Sequence, residues 1–95
     1  MDAQKSHIVI SLAGRDKGQY FLVIDRMEEY VLLADGKGRK LEKPKKKKLK
    51  HIRIAGKSDS RAAQKLRSGE KLLNSEIRKA LAEFSETAEL NQGGS

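Results

Sequence analysis

Residues 7–24 decide the fold: His7-Ile8-Val9-Ile10-Ser11-Leu12-Ala13, then Gly14-Arg15-Asp16-Lys17-Gly18, then Gln19 and Tyr20-Phe21-Leu22-Val23-Ile24. The first piece reads as a β-strand, with Ile8, Ile10 and Leu12 on one face by period two. The middle piece is a turn whose two glycines are free to take positive φ. The last piece is a second strand, apolar on both faces and rich in β-formers. Asp25 to Glu29 is a short polar connection. Tyr30-Val31-Leu32-Leu33-Ala34 is a third strand, and Asp35-Gly36-Lys37-Gly38 after it is a hairpin signal.

Arg39 to Lys43 alternates like an edge strand. Pro44 denies a ladder donor and belongs at an edge or in a loop. Lys45, Lys46, Lys47 and Lys48 follow, a stretch expected to stay mobile until a partner neutralises it. Leu49 to Ile54 reads as a last strand, with Ile52 and Ile54 inward and Arg53 outward. Four to five short strands joined by tight turns suggest a mainly β protein, a small SH3-like barrel over residues 1–56.

The chain changes character after Gly56. Ser58, Asp59 and Ser60 are good helix caps, and Arg61 to Arg67 offers Ala62, Ala63 and Leu66 as an apolar strip that Ser68-Gly69 stops. Asn74 or Ser75 can cap a second helix, on which Ile77, Ala80, Leu81, Phe84 and Ala88 form a stripe. Residues 57–90 are therefore a helical appendage, packed on the barrel or docking a partner. Residues 91–95 read as a disordered polar tail.

The whole chain has 95 residues and a formal charge of +8. That length holds one small core. The charge is concentrated: residues 37–56 carry ten basic side chains against Glu42 alone, whereas residues 1–36 are net acidic and residues 57–95 almost balanced. A block of this kind points to a polyanion partner. Cysteine is absent, which excludes disulfide scaffolds, thiol nucleophiles and Cys-bearing zinc sites. No apolar run has the length of a spanning helix and the start is polar, so a cytoplasmic location is expected.

Catalytic patterns are weak. Gly56-Lys57-Ser58 follows a strand like the end of a phosphate loop, but that pattern requires glycine where His51 stands. His7 and His51 have no further ligand nearby in sequence, so no metal or cofactor is expected. Asp25, Glu28 and Glu29 cluster in a loop between strands, where carboxylates are usually solvated. No small-molecule substrate is implied, and the protein is expected not to be an enzyme.

Residues 8–24, with the Gly14–Gly18 turn and the apolar run after it, resemble a KOW motif. The segment His7 to Ile54 is similar to KOW-domain RNA-binding proteins. Within them it most resembles the bacterial relatives of large-subunit ribosomal protein fourteen of the eukaryotic and archaeal type, chiefly through the stretch Ala34 to His51. Many KOW motifs carry a further glycine three residues after the one matching Gly18. This chain has Phe21 there, which favours the ribosomal-protein subgroup over the transcription-elongation type. The resemblance implies an SH3-like barrel, RNA binding and a link to translation at the ribosome.

The expected RNA-binding set is Arg15, Lys17, Lys37, Arg39, Lys40, Lys43, Lys45, Lys46, Lys47, Lys48, Lys50, His51 and Arg53, with Gly14 and Gly18 shaping the turn. Lysines supply charge to phosphates and arginines grip two phosphate oxygens. Few aromatics argue against a reader of stacked single-stranded bases, so phosphate and shape recognition of structured, ribosomal RNA is expected. The helix could meet ribosomal or translation proteins. Two other roles compete: a protein-interaction adaptor tethered by the lysine run, and attachment to an anionic membrane, which lacks an adjoining lipidation signal. Replacing Lys45–Lys48 with alanine is expected to flatten the salt dependence of RNA binding without unfolding the protein.

Overall fold

The computed structural model describes residues 3–58 and 60–93, and only the backbone of 88–93. Among the described residues the strands are β1 (His7–Ser11), β2 (Tyr20–Met27), β3 (Tyr30–Ala34), β4 (Lys45–Lys48) and β5 (Ile52–Lys57). A single 3-10 turn, Leu49–His51, joins β4 to β5, and two helices follow, α1 (Arg61–Ser68) and α2 (Asn74–Gly93). The strands form one antiparallel sheet in the order β4-β3-β2-β1-β5. β4 and β5 are its two edges, so the sheet does not close into a barrel by strand pairing.

The sheet is buried on both faces, which explains the unbroken apolar run of β2. Pleating sends Val9, Phe21, Val23, Val31 and Leu33 to one face, where Ala3 and Ile52 join them and Leu49 and Ile54 pack alongside. Ile8, Leu22 and Ala34 point to the other face, against Ala62, Ile77 and Ala80 from the helices. The cross-strand pairs Val9–Phe21 and Ile8–Leu22 set this alternation. Each large aliphatic side chain removed from water contributes about 1.5–3 kcal/mol. The expected single apolar face of the first strand is corrected accordingly: Ile8 and Val9 are both buried, and Leu12 lies past the strand, 41% exposed.

α1 begins where the sequence places it. Ser60 accepts a hydrogen bond from the Ala63 amide, and Gly69 ends the helix in the left-handed conformation at φ 77°, a backbone shape that favours glycine. α2 starts differently from expectation. The amide of Leu73, the residue just before the helix, donates to the Glu76 carboxylate at 3.0 Å, while the Asn74 side chain turns away to the 35–44 connection. Ile77, Ala80, Leu81 and Phe84 lie in the second core, and Phe84 meets Tyr20 edge-on at 5.8 Å between ring centres. The helices therefore cover the sheet. Of the expected tail, residues 91–93 belong to α2, and residues 94 and 95 lie outside the described ones.

Three further expectations are corrected. Arg39 to Lys43 is turn and bend, so β3 and β4 are joined by a ten-residue connection, 35–44, rather than a tight hairpin. Leu49–His51 is the 3-10 turn, and the last strand begins at Ile52. Most consequentially, Lys45–Lys48 is a paired strand, in register with Leu33 to Tyr30. Backbone pairing to β3 and a buried counter-charge outweigh the mutual repulsion of the four ammonium groups.

Candidate nucleic-acid interface

The pleat of β4 divides the lysine run in two. Lys45 and Lys47 lie opposite Leu33 and Val31, and share their face. Lys46 and Lys48 lie opposite Leu32 and Tyr30 on the other face, where the Lys46 ammonium sits 4.4 Å from the centre of the Tyr30 ring. Lys47 is 8% exposed. Its Nζ donates to Ser11 Oγ at 2.6 Å, to the Ala13 carbonyl at 2.7 Å and to Asp16 Oδ1 at 2.6 Å. Those three partners account for all three ammonium hydrogens. Lys47 is thus a structural residue, and its expected place in an RNA-binding surface is corrected.

Asp16 is the centre of this arrangement. Ser11 donates to its Oδ1 at 2.7 Å, and Lys45 Nζ lies 2.8 Å from Oδ2 as an ion pair. Burial opposes ionisation of the carboxyl. The Lys45 and Lys47 ammonium groups and the Ser11 hydroxyl outweigh it, and hold the group well below the usual carboxylate range.

Gly14 and Gly18 take φ of 86° and 89°, as the turn reading requires. Three amides at the C-terminal side of the turn are already spent on the chain itself. The amides of Lys17, Gly18 and Gln19 donate to the carbonyls of Gly14, Ser11 and Asp16. The turn also presents side chains. Arg15 and Gln19 meet Arg39 and Lys45 around a shallow depression of about 390 Å³, with Asp16, Phe21, Asp35 and Gly38 completing its wall. Both carboxylates there are already engaged. Asp16 is held by its lysines, and Asp35 Oδ1 accepts the amides of Lys37 and Arg39 at 2.9 and 2.8 Å. The Arg15 and Arg39 side chains are exposed and make no ion pair or hydrogen bond among the described residues.

The remaining expected residues are dispersed. Lys17, Lys37, Lys40 and Lys43 are exposed on the turn and on the 35–44 connection. Lys48 and Lys50 border a separate cavity with Glu29 and Leu49. Arg53 is exposed on β5, at the opposite edge of the sheet from β4. His51 is half-buried, and its carbonyl accepts the Leu12 amide. The sequence places these residues in one segment, but the fold spreads them over two faces and two edges.

The weaker chemical patterns resolve into structure. His7 Nδ1 accepts the Gln4 amide at 3.0 Å, and burial, with the nearby Lys57 charge, lowers its pKa. Gly56 lies under the Phe84 ring, where an added Cβ would come within 2.8 Å, and Ser58 is buried with its Oγ 2.6 Å from that of Ser60. Asp25, Glu28 and Glu29 are exposed around the β2–β3 turn. Among the described residues no group of three or more His, Asp or Glu is placed to hold a metal ion, and no helix is long and apolar enough to cross a membrane.

Sequence reasoning missed Asp16, Ser11, Asn74 and Arg78. Asp16 had one available signal: it is the acid inside a turn otherwise read as basic. No protein-family model matches the chain, and no curated protein matches it.

Proposed function

We propose that the protein is a non-catalytic RNA-binding module that grips the phosphates of structured RNA through the depression between the Gly14–Gly18 turn and the 35–44 connection. The observation that carries this is the convergence of Arg15, Arg39 and Lys45 on one concavity whose two carboxylates are already engaged. Two guanidinium groups without a partner among the described residues suit bidentate phosphate contacts. Lys17, Lys37, Lys40 and Lys43 extend the positive field along the rim.

The strand order, with a 3-10 turn between the last two strands, is compatible with an SH3-like, partly open barrel of KOW type. With the sequence resemblance it favours a ribosomal RNA, and a cytoplasmic, ribosome-associated role in translation. The adaptor reading is weaker, because the apolar stripe of α2 through Phe84 is spent on the sheet.

The test is a titration of an RNA hairpin and of ribosomal RNA fragments at several salt concentrations, with wild-type protein and Arg15→Gln/Arg39→Gln. Steep salt dependence that becomes shallower in the variant supports the proposal. Binding that is absent, or identical in the variant, overturns it. Crosslinking in cells then separates ribosomal RNA from other transcripts.

A further inference from the structure

The 35–44 connection carries Lys37, Arg39, Lys40 and Lys43, yet most of it is exposed, and Leu41 is its apolar contact with the second core. A polar loop with so little apolar burial has few means of holding one shape. Within the loop the Asp35 and Gly36 amides donate to the Arg39 carbonyl at 2.9 and 3.1 Å, and its other anchors to the rest of the molecule come from the first turns of α2. Asn74 Oδ1 accepts the Leu41 amide at 2.8 Å. Asn74 Nδ2 donates to both oxygens of Glu42, at 3.0 and 3.2 Å. One turn further on, Arg78 Nη1 donates to the Gly36 carbonyl. Gly36 itself is buried at φ 76°, so close to the helix that an added Cβ would stand 2.3 Å from the Asn74 carbonyl oxygen.

These contacts act on both ends of the stretch that holds Arg39. Gly36 is fixed on one side and Leu41–Glu42 on the other, while Asp35 Oδ1 ties the Lys37 and Arg39 amides between them. Glu42, the one acid of the basic block, is drawn against the helix N-terminus. That end of a helix favours negative charge.

We infer that the first turns of α2 are the positioning element of the RNA interface: Asn74 and Arg78 hold the connection in the shape that presents Arg39 to phosphate. The inference rests on the RNA-binding proposal and assigns the helical segment a part in it. Neither residue needs to touch RNA. Their contribution is preorganisation, because a loop ordered before binding loses less conformational freedom when it binds. Contacts that position are separable from contacts that neutralise charge, since the salt slope reports how many phosphates are neutralised.

The test uses the full chain with Asn74→Ala, which removes both side-chain contacts without changing charge. Its binding to an RNA hairpin is measured across a salt series, and amide hydrogen exchange of Leu41 and Arg39 is followed in the free protein. Affinity is expected to fall by about tenfold at fixed salt, with the salt slope unchanged and exchange at both amides faster. Arg78→Lys keeps the charge but loses the planar guanidinium, and should weaken binding in the same way by a smaller factor. If both variants bind within twofold of wild type while wild type binds with steep salt dependence, the positioning role is overturned and the RNA proposal stands. If wild type itself shows no salt-dependent RNA binding, the RNA proposal fails and this inference falls with it.

Discussion

Lys47 and Asp16, 31 residues apart in the chain, form a buried ion pair with 2.6 Å between Nζ and Oδ1. The pair fastens the edge strand β4 to the turn after β1, two elements that are not neighbours in the sheet. It also explains how four consecutive lysines can occupy a strand. One is neutralised inside, one is shared at the boundary, and two point to the other face.

This pair divides the lysine run energetically. Removing one partner of a buried, hydrogen-bonded pair leaves an uncompensated charge, at a typical cost of about 3–5 kcal/mol. Lys47→Ala should fall near about 3 kcal/mol, because Lys45 remains beside Asp16. Lys46→Ala and Lys48→Ala should each change stability by less than about 1 kcal/mol. Urea unfolding of the three single variants checks this. Equal midpoints would refute a structural role for Lys47. A quadruple alanine variant would unfold or weaken the protein, so it is unsuited to testing RNA contacts.

Acid should attack the same pair. An unfolded aspartate titrates near pH 3.9, whereas folded Asp16 titrates well below that value. Between the two values the unfolded chain binds more protons, so this stability is complete above the unfolded pKa and is lost as pH falls towards the folded one. Glu76, lowered chiefly by the Lys65 hydrogen bond, acts with the same sign. Asp16→Asn should therefore be less stable at pH 7, yet lose less on going from pH 5 to pH 2. Urea midpoints measured across that range decide it, and parallel curves for the two proteins would count against the assignment.

Two glycines with similar φ should respond differently to substitution. Gly18, at 89°, has open space around the position of a Cβ, so Gly18→Ala should cost about 1 kcal/mol of backbone strain alone. Gly36, at 76°, has the Asn74 backbone in that space, and Gly36→Ala should cost about 2–4 kcal/mol. Thermal melts of the two variants compare them directly. A milder effect at Gly36 than at Gly18 would contradict the close approach.

Charge contacts at the depression should be readable one at a time. Arg39→Gln should lower RNA affinity and reduce the salt slope by about one phosphate contact. Arg53→Gln, at the far edge of the sheet, should leave the slope as in wild type. Filter binding at four or more salt concentrations measures both. An equal loss from the two substitutions would replace the localised depression with a diffuse positive surface.

Local chemistry made much of this molecule legible in the sequence. The turn glycines, the run Tyr20 to Ile24, the Ser60 cap and the Gly69 stop act through backbone geometry within a few residues. The charge block was equally plain, since composition needs no fold. The distinction among the lysines was not. Lys46 and Lys47 are chemically identical neighbours, and they differ only because pairing with β3 turns one outward to Tyr30 and the other inward to Asp16. Strand register, which sets that alternation, depends on contacts far apart in the chain. The link from Asn74 to Leu41 is of the same kind. The sequence by itself determined the first three strands, the two helices and where the positive charge lies, but not the edge strand β4 or the 3-10 turn after it. Only the tertiary structure decided which charges are consumed by the fold and which remain to meet a partner, because burial and ion pairing depend on what packing brings alongside each side chain.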